Sequence, residues 1–147
     1  TIIKTTKTDT DTIDKMATNI IQTKGKRKRA VARATLTEGK GKIRINGTHL
    51  ESYGTEMLRL RIHEPLLLAG SMAQNVDINV LVVGGGVNGQ ADAIRLAIAR
   101  SLIKHEPKLK KTFEEYDRLL LVADIRRKEA RKPNDSKARA KRQKSYR

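Results

Sequence analysis

NVDINVLVVGGGVNGQADAIRLAIARSLIK, residues 75–104, is the stretch on which the fold turns. Val76, Ile78, Val80 and Val82 alternate with Asp77 and Asn79, the two-residue period of a strand. Leu81 and Val83 complete an apolar end, as expected for a central strand, here Asn75 to Val83. Glycines at 84, 85, 86 and 89 then break the pattern. Beyond Gln90, Ala91, Ile94, Ile98 and Leu102 recur at helical spacing through Lys104, with Arg100 and Lys104 on the opposite side.

Strand, glycines, helix is the setting of a phosphate-binding loop, and Gly84-x-Gly86-x-x-Gly89 satisfies the dinucleotide fingerprint. Neither nucleotide reading fits the surroundings. A nucleotidase loop needs Lys-Ser/Thr after its last glycine, where Gln90 and Ala91 stand. A dinucleotide domain needs further βα repeats, for which the remaining chain is too short and too polar. Free N–H groups at a helix start still attract an anion, and an RNA phosphate is one. Gly84, Gly85, Gly86, Gly89 and Gln90 are therefore candidate RNA contacts. Equally, the glycines permit a tight turn and close helix packing.

Toward the N-terminus, Asn19 to Thr23 reads as a short strand and Arg27 to Thr37 as a longer one. In the longer strand Ala30, Ala32, Ala34 and Leu36 mark one face, and Arg27, Arg29, Val31, Arg33 and Thr35 the other. Glu38-Gly39-Lys40-Gly41 reads as a hairpin turn into a return strand, Lys42 to Asn46. There Ile43 and Ile45 oppose Lys42 and Arg44. Both strands thus predict a sheet covered by helices on one face and open on the other. The open face is basic, with Arg27, Lys28, Arg29, Arg33, Lys42 and Arg44 as candidate RNA-binding residues. Thr55 to His63 and Glu64 to Ala73 read as two short helices broken at Pro65, and Pro107 to Tyr116 as another with Leu109 and Phe113 inward.

The whole chain carries 32 Lys+Arg against 16 Asp+Glu over 147 residues, a net charge of +16. Such a field selects a polyanionic partner. No apolar run reaches membrane-spanning length and no leader-like segment opens the chain, so nucleic acid is favoured and no membrane partner is expected. With no Cys and scattered His49, His63 and His105, no metal and no cofactor is expected. Aromatics are 3% of residues, so phosphate contacts rather than base stacking should dominate.

Three zones emerge. Residues 1–18 are Thr-rich and polar and read as a disordered extension. Met16-Ala17 there reads either as an internal translation start or as a plain internal Met. Residues 19–124 hold nearly all large apolar side chains and read as one RNA-binding domain. Residues 125–147 form a basic tail, too charged to order itself when free. Its candidate RNA contacts are Arg126, Arg127, Lys128, Arg131, Lys132, Lys137, Arg139, Lys141, Arg142 and Lys144.

These motifs together resemble the universal small-subunit ribosomal protein nine family in its archaeal form. The match begins at Gly25-Lys26-Arg27-Lys28-Arg29-Ala30-Val31-Ala32-Arg33-Ala34 and continues through Gly39 to Gly47 and Glu64-Pro65-Leu66-Leu67. It takes in the glycine loop with Gln90, Ala93-Ile94-Arg95, Tyr116-Asp117-Arg118 and the block Ala138 to Arg147. Two departures stand out: residues 1–15 have no family counterpart, and Ile125 stands where many relatives have Pro.

The resemblance implies an α+β fold: a two-layer α/β sandwich with a mixed sheet, a left-handed βαβ crossover and a long basic C-terminal tail. It implies a non-enzymatic role in the cytoplasmic ribosome, bound to small-subunit ribosomal RNA and neighbouring ribosomal proteins of the subunit head. It further implies that Ser145, Tyr146 and Arg147 approach tRNA in the peptidyl site. Two rivals remain at this stage: another RNA- or DNA-binding protein with a basic arm, and a nucleotide-dependent enzyme using the glycine loop.

Overall fold

The computed structural model describes residues 20–133 and 137–139. The expected extension, residues 1–18, lies outside them. Among the described residues, five strands form one mixed sheet: β1 (Ile21–Arg27), β2 (Ala30–Glu38), β3 (Ile43–Ile45), β4 (Thr48–His49) and β5 (Val76–Val83), in the order β1-β2-β5-β3-β4. Three α-helices of the same residues accompany it: α1 (Glu56–Ala69), α2 (Val87–His105) and α3 (Leu109–Tyr116). The fold is therefore α+β, as the sequence predicts.

The centre of the sheet is the predicted strand. Along β5, Val76, Ile78, Val80 and Val82 are buried, and Ala30, Ala32, Ala34 and Leu36 of β2 meet them on the same face. Ala91, Ile94, Ile98 and Leu102 of α2 pack onto that face, all buried as their spacing predicts. Phe113 of α3 is fully buried, with Leu109 partly so.

Strand pairing departs from expectation in two places. The first is the break between β1 and β2. β1 runs through Arg27, a two-residue turn at Lys28-Arg29 follows, and Arg27 pairs with Ala30. Lys28 takes the left-handed φ of 52° that closes the turn. No glycine marks it, which is why the alternation of 27–37 looks continuous in the sequence. The second concerns β3, which does not return along β2. β5 inserts between them, antiparallel to β2 and parallel to β3. A three-residue strand cannot pair the length of β2, whereas β5 matches it from Val31 to Glu38.

The segment after β2 therefore passes over the start of β5, where the Asp77 carboxylate accepts from the backbone N–H groups of Lys40 (2.9 Å) and Lys42 (2.8 Å). Those two bonds, that of Lys42 first, lower the pKa of Asp77. Asn46 extends the parallel pairing with its side chain: its Nδ2 donates to Val82 O and its Oδ1 accepts from Val82 N.

Pro65 does not divide two helices either. It lies buried inside α1, which runs unbroken to Ala69 and stops at Gly70 with φ 57°. Its missing N–H costs one helical bond, and the buried ring packs in the core instead.

The tightest contact is between α2 and β1. A Cβ at Gly25 would fall 2.0 Å from Ala93 O and 2.8 Å from Ala97 N. Thr23 Oγ1 also donates to Ala97 O at 2.8 Å. Arg100 and Lys104, expected on the solvent side of the helix, instead cover the outer edge of β1. Arg100 Nη1 donates to Lys24 O (2.8 Å) and Lys104 Nζ to Gln22 O (3.1 Å). Filling the carbonyls of an edge strand in this way blocks edge-to-edge pairing.

This close approach predicts that Gly25→Ala destabilises the fold by about 1–3 kcal/mol through overpacking. Gly89→Ala, where a Cβ meets only ordinary contacts at 3.7 Å or more, should be neutral or stabilising by up to about 1 kcal/mol. Urea unfolding midpoints of the two variants measure the difference, and an unchanged midpoint for Gly25→Ala contradicts it.

Candidate nucleic-acid interface

β1 and β2 turn alternate residues away from the helices. Lys24, Lys26 and Arg33 are exposed on this open face, with Arg33 opposite Lys24 on one side and Leu81 on the other. Arg44 of β3 joins them beyond β5, and Lys42 is exposed just before it. Lys28 and Arg29 are exposed at the turn. Lys24 and Lys26 are not among the candidates read from the sequence, which ends the first strand at Thr23, whereas β1 runs on to Arg27; their alternation with Thr23 and Gly25 is the signal that marks them. The face is not uniformly polar: Leu81 and Val83 are 63% and 61% exposed in its centre.

Arg27 is the exception among the predicted face residues. The turn reverses the parity expected for it, so it shares the core side with Ala30. Its Nη1 lies 2.6 Å from Asp124 Oδ2, in charge contact without hydrogen-bond alignment, and its Nε is 3.5 Å from Asp92. Arg61 also reaches Asp92, at 3.2 Å. On the other side, Arg126 grips Asp124 through Nε, Nη2 and its backbone N–H. A chain of alternating charges thus links α1, α2, β1 and the root of the tail. A second cluster ties Arg95 to Glu64 and Asp117, whose other oxygen accepts from Leu119 N.

Two sets stand out among the cations. Arg27, Arg61, Arg95, Arg126 and Arg139 face carboxylates. Among the described residues, no ion pair engages Lys24, Lys26, Lys28, Arg29, Arg33, Lys42 or Arg44, and none engages Arg127, Lys128, Arg131, Lys132 or Lys137 of the tail. Lys137 and Arg139 are exposed, with Arg139 bound to Glu129 through two nitrogens. Lys141, Arg142, Lys144, Ser145, Tyr146 and Arg147 lie outside the described residues.

The glycine loop has a structural use. Gly84 and Gly85 hold φ of 74° and 68°, and a Cβ on either would meet the β1–β2 turn, at Arg29 O or Ala30 N, within 2.8 Å. The turn therefore packs directly against this side of the loop. Gly86 caps α2 and borders open space. Gln90 Nε2 donates to Gly84 O (3.1 Å), and Tyr53 Oη donates to Gln90 Oε1 (3.4 Å). Burial pushes the Tyr53 phenol pKa up, so it stays a donor. Among the described residues no cluster of His, Cys, Asp or Glu could hold a metal, and no helix is long and apolar enough to cross a membrane.

A family model described as ribosomal protein S9/S16 matches residues 25–147. The small ribosomal subunit protein uS9 of Thermoplasma volcanium is 54% identical over 127 residues, covering 85% of this chain and 96% of that protein. That of Halobacterium salinarum is 49% identical over 131 residues, 87% and 99% respectively. That of Pyrobaculum aerophilum is 50% identical over 125 residues, 84% and 88%.

The grip on Asp124 has a pH signature. Hydrogen bonds from the Arg126 guanidinium and backbone, with the charges of Arg126 and Arg27, hold its pKa down to about 2. An unperturbed Asp titrates near 3.9. The folded value is the lower one, so the contact's contribution is complete above about pH 4 and disappears as pH falls through about 2. The residue-126 amide resonance should titrate with a midpoint near 2, moving up toward the ordinary value in Arg126→Ala, which keeps the amide but loses the guanidinium, and moving less in Arg27→Ala. A wild-type midpoint near 4 would show that the tail root is not held.

Proposed function

Because the chain belongs to the ribosomal protein S9/S16 family, we propose that it binds ribosomal RNA in the head of the small subunit and reaches peptidyl-site tRNA through its C-terminal tail. Membership makes it a structural protein of the small ribosomal subunit and not an enzyme. Its place is the ribosome, and its partners are the RNA and proteins of that particle. The finer reading adds the neighbouring proteins of the head and a left-handed β3–α1–β5 crossover. The resemblance supports that crossover against the general right-handed preference.

The observation that carries the RNA reading is the sorting of cations. Ion pairs tie Arg27 and Arg95 into the fold, whereas Lys24, Lys26, Arg33 and Arg44 stand together on an exposed face with no ion pair among the described residues. A duplex backbone carries a dense row of phosphates, and neutralising them releases counterions. The loop glycines and Gln90 remain candidate contacts on the same side as Lys28 and Arg29. The tail contributes Arg127, Lys128, Arg131, Lys132 and Lys137, and beyond the described residues Lys141, Arg142 and Lys144. The proposed tRNA-proximal end is Ser145-Tyr146-Arg147.

Salt dependence tests the sorting. Affinity for a ribosomal RNA fragment should fall by roughly 0.9 log unit per phosphate contact and log unit of salt. Replacing Lys24, Lys26, Arg33 and Arg44 by Ala should flatten that slope, and so should removing residues 126–147. An equal slope in both variants and in the wild type would sink the reading. Deleting Arg147 alone should leave assembly intact and weaken tRNA retention by about 1–3 kcal/mol, the worth of one charge-assisted contact. Equal tRNA dissociation from subunits with the full and shortened chains would leave the tail as an RNA anchor only.

A further inference from the structure

A groove of about 800 Å³ lies along the edge strand β1, from Arg33 and Leu81 on the open face to Ile103 and Lys104 of α2 beyond the strand's outer edge. Most of its surface is apolar, with Ala34, Leu81, Ile103 and Leu121 as its aliphatic residues. Its polar margin holds Lys24, Arg33, Arg100, Lys104 and Lys110, and no carboxylate residue lines it. This volume falls within the roughly 300–1,000 Å³ of sites that enclose small organic ligands. The groove is separate from the glycine loop, none of whose residues lines it.

Two of the cations are fixed by the fold. Arg100 donates from Nε and Nη2 to Leu121 O and from Nη1 to Lys24 O. Its hydrogen bonds thus go to neutral carbonyls, and its charge is not cancelled by an acid. Lys104 likewise bonds the carbonyl of Gln22 and keeps its charge. Lys110 lies 3.9 Å from Glu114, an exposed pair of little strength. A fixed positive rim around an aliphatic floor suits a ligand that is anionic at intervals and flat and weakly polar between.

We propose that this groove seats an unstacked nucleotide of single-stranded RNA, its base against Leu81 and Ile103 and its flanking phosphates on the rim. The proposal rests on the RNA-binding reading above and adds the form of RNA. A duplex presents phosphates and ribose outward with its bases stacked inside, so it cannot fill a concave aliphatic site. A single strand can turn a base out and keep its backbone on the cations. Aromatic residues are absent from the lining, so the base is held by aliphatic packing and shape rather than stacking. Such a site discriminates strand form more than sequence.

The test uses the full chain, an eight-nucleotide single strand carrying one 4-thiouridine, and a hairpin duplex of the same composition. Leu81 is 63% exposed, so Leu81→Asp should fold, as circular dichroism verifies. It should lower single-strand affinity by about tenfold or more, because a carboxylate set against phosphates is repelled. Duplex affinity should also fall, because Leu81 lies in the centre of the basic face, but by a clearly smaller factor than single-strand affinity, and Leu81→Met should behave as wild type. Photocrosslinks from the wild type should fall on peptides containing Leu81 or Ile103. Equal losses for the two RNAs, or crosslinks confined to the tail, overturn the groove. If the wild type binds duplex alone, the groove falls and the open-face reading stands. If it binds neither RNA, both fall.

Discussion

At Gly25 the backbone of β1 and that of α2 come so close that any side chain would occupy the space of Ala93 and Ala97. The rest of the molecule depends on this approach. It requires glycine on the strand and alanine on the helix, and it fixes which face of the sheet is covered. Once α2 lies there, Ala30, Ala32, Ala34 and Leu36 turn inward to meet it. The alternation of a strand then leaves Lys24, Lys26 and Arg33 nowhere but outward. The basic face is thus a consequence of packing on the opposite side of the same strands. The lost side chain at Gly25 is compensated by Thr23, Arg100 and Lys104, which tie the strand's edge to the helix.

A protein with so large an excess of cations must keep some from repelling one another inside the fold. Here the arginines near the core meet acids drawn from other elements. Asp92 lies on α2, Asp124 follows the last turn of chain, and Glu64 and Asp117 converge on Arg95. Burial of an arginine without such partners would be costly, and these clusters offset that cost while fixing how helices and chain ends sit. The exposed set makes no ion pair among the described residues; the one carboxylate that feels Lys42 and Arg44, Asp77, is bonded to backbone N–H groups. Self-repulsion within the set is relieved when a polyanion binds, so the field that disfavours the free protein favours the complex. Asp124 sits at the boundary of the two sets and gives the tail a defined root just before the fully exposed Ile125 region.

How much of this could be read from the chain varies with the length of the signal. β5 and α2 were legible because each repeats its period several times, and glycines separate them. β2 was legible through its alanines. The turn at Lys28-Arg29 was not, since nothing in its composition distinguishes it from the basic alternation around it; its displacement moved Arg27 to the wrong face and hid Lys24 and Lys26. The partner of β3 was not legible because three residues fit many registers, and the deciding bonds come from Asp77 and Asn46 side chains. Pro65 suggested a break where a buried ring and the surrounding core hold one continuous helix. The roles of Asp92, Asp117 and Asp124 depend on contacts between distant segments, which no local pattern reports. The glycine loop was ambiguous in sequence, and the contact of Gly84 and Gly85 with the turn identifies a packing requirement there.

Packing separates the cations paired inside the fold from those proposed to face RNA. An electron cryomicroscopy map of the small subunit containing this chain would distinguish the two sets. In it, Lys24, Lys26, Arg33 and Arg44 should lie within hydrogen-bonding distance of RNA phosphates or their bridging waters, while Arg27 and Arg95 remain on Asp124 and Asp117. A map with the open face turned to solvent, or with Arg27 and Arg95 withdrawn from their carboxylates to hold phosphates, would contradict this separation.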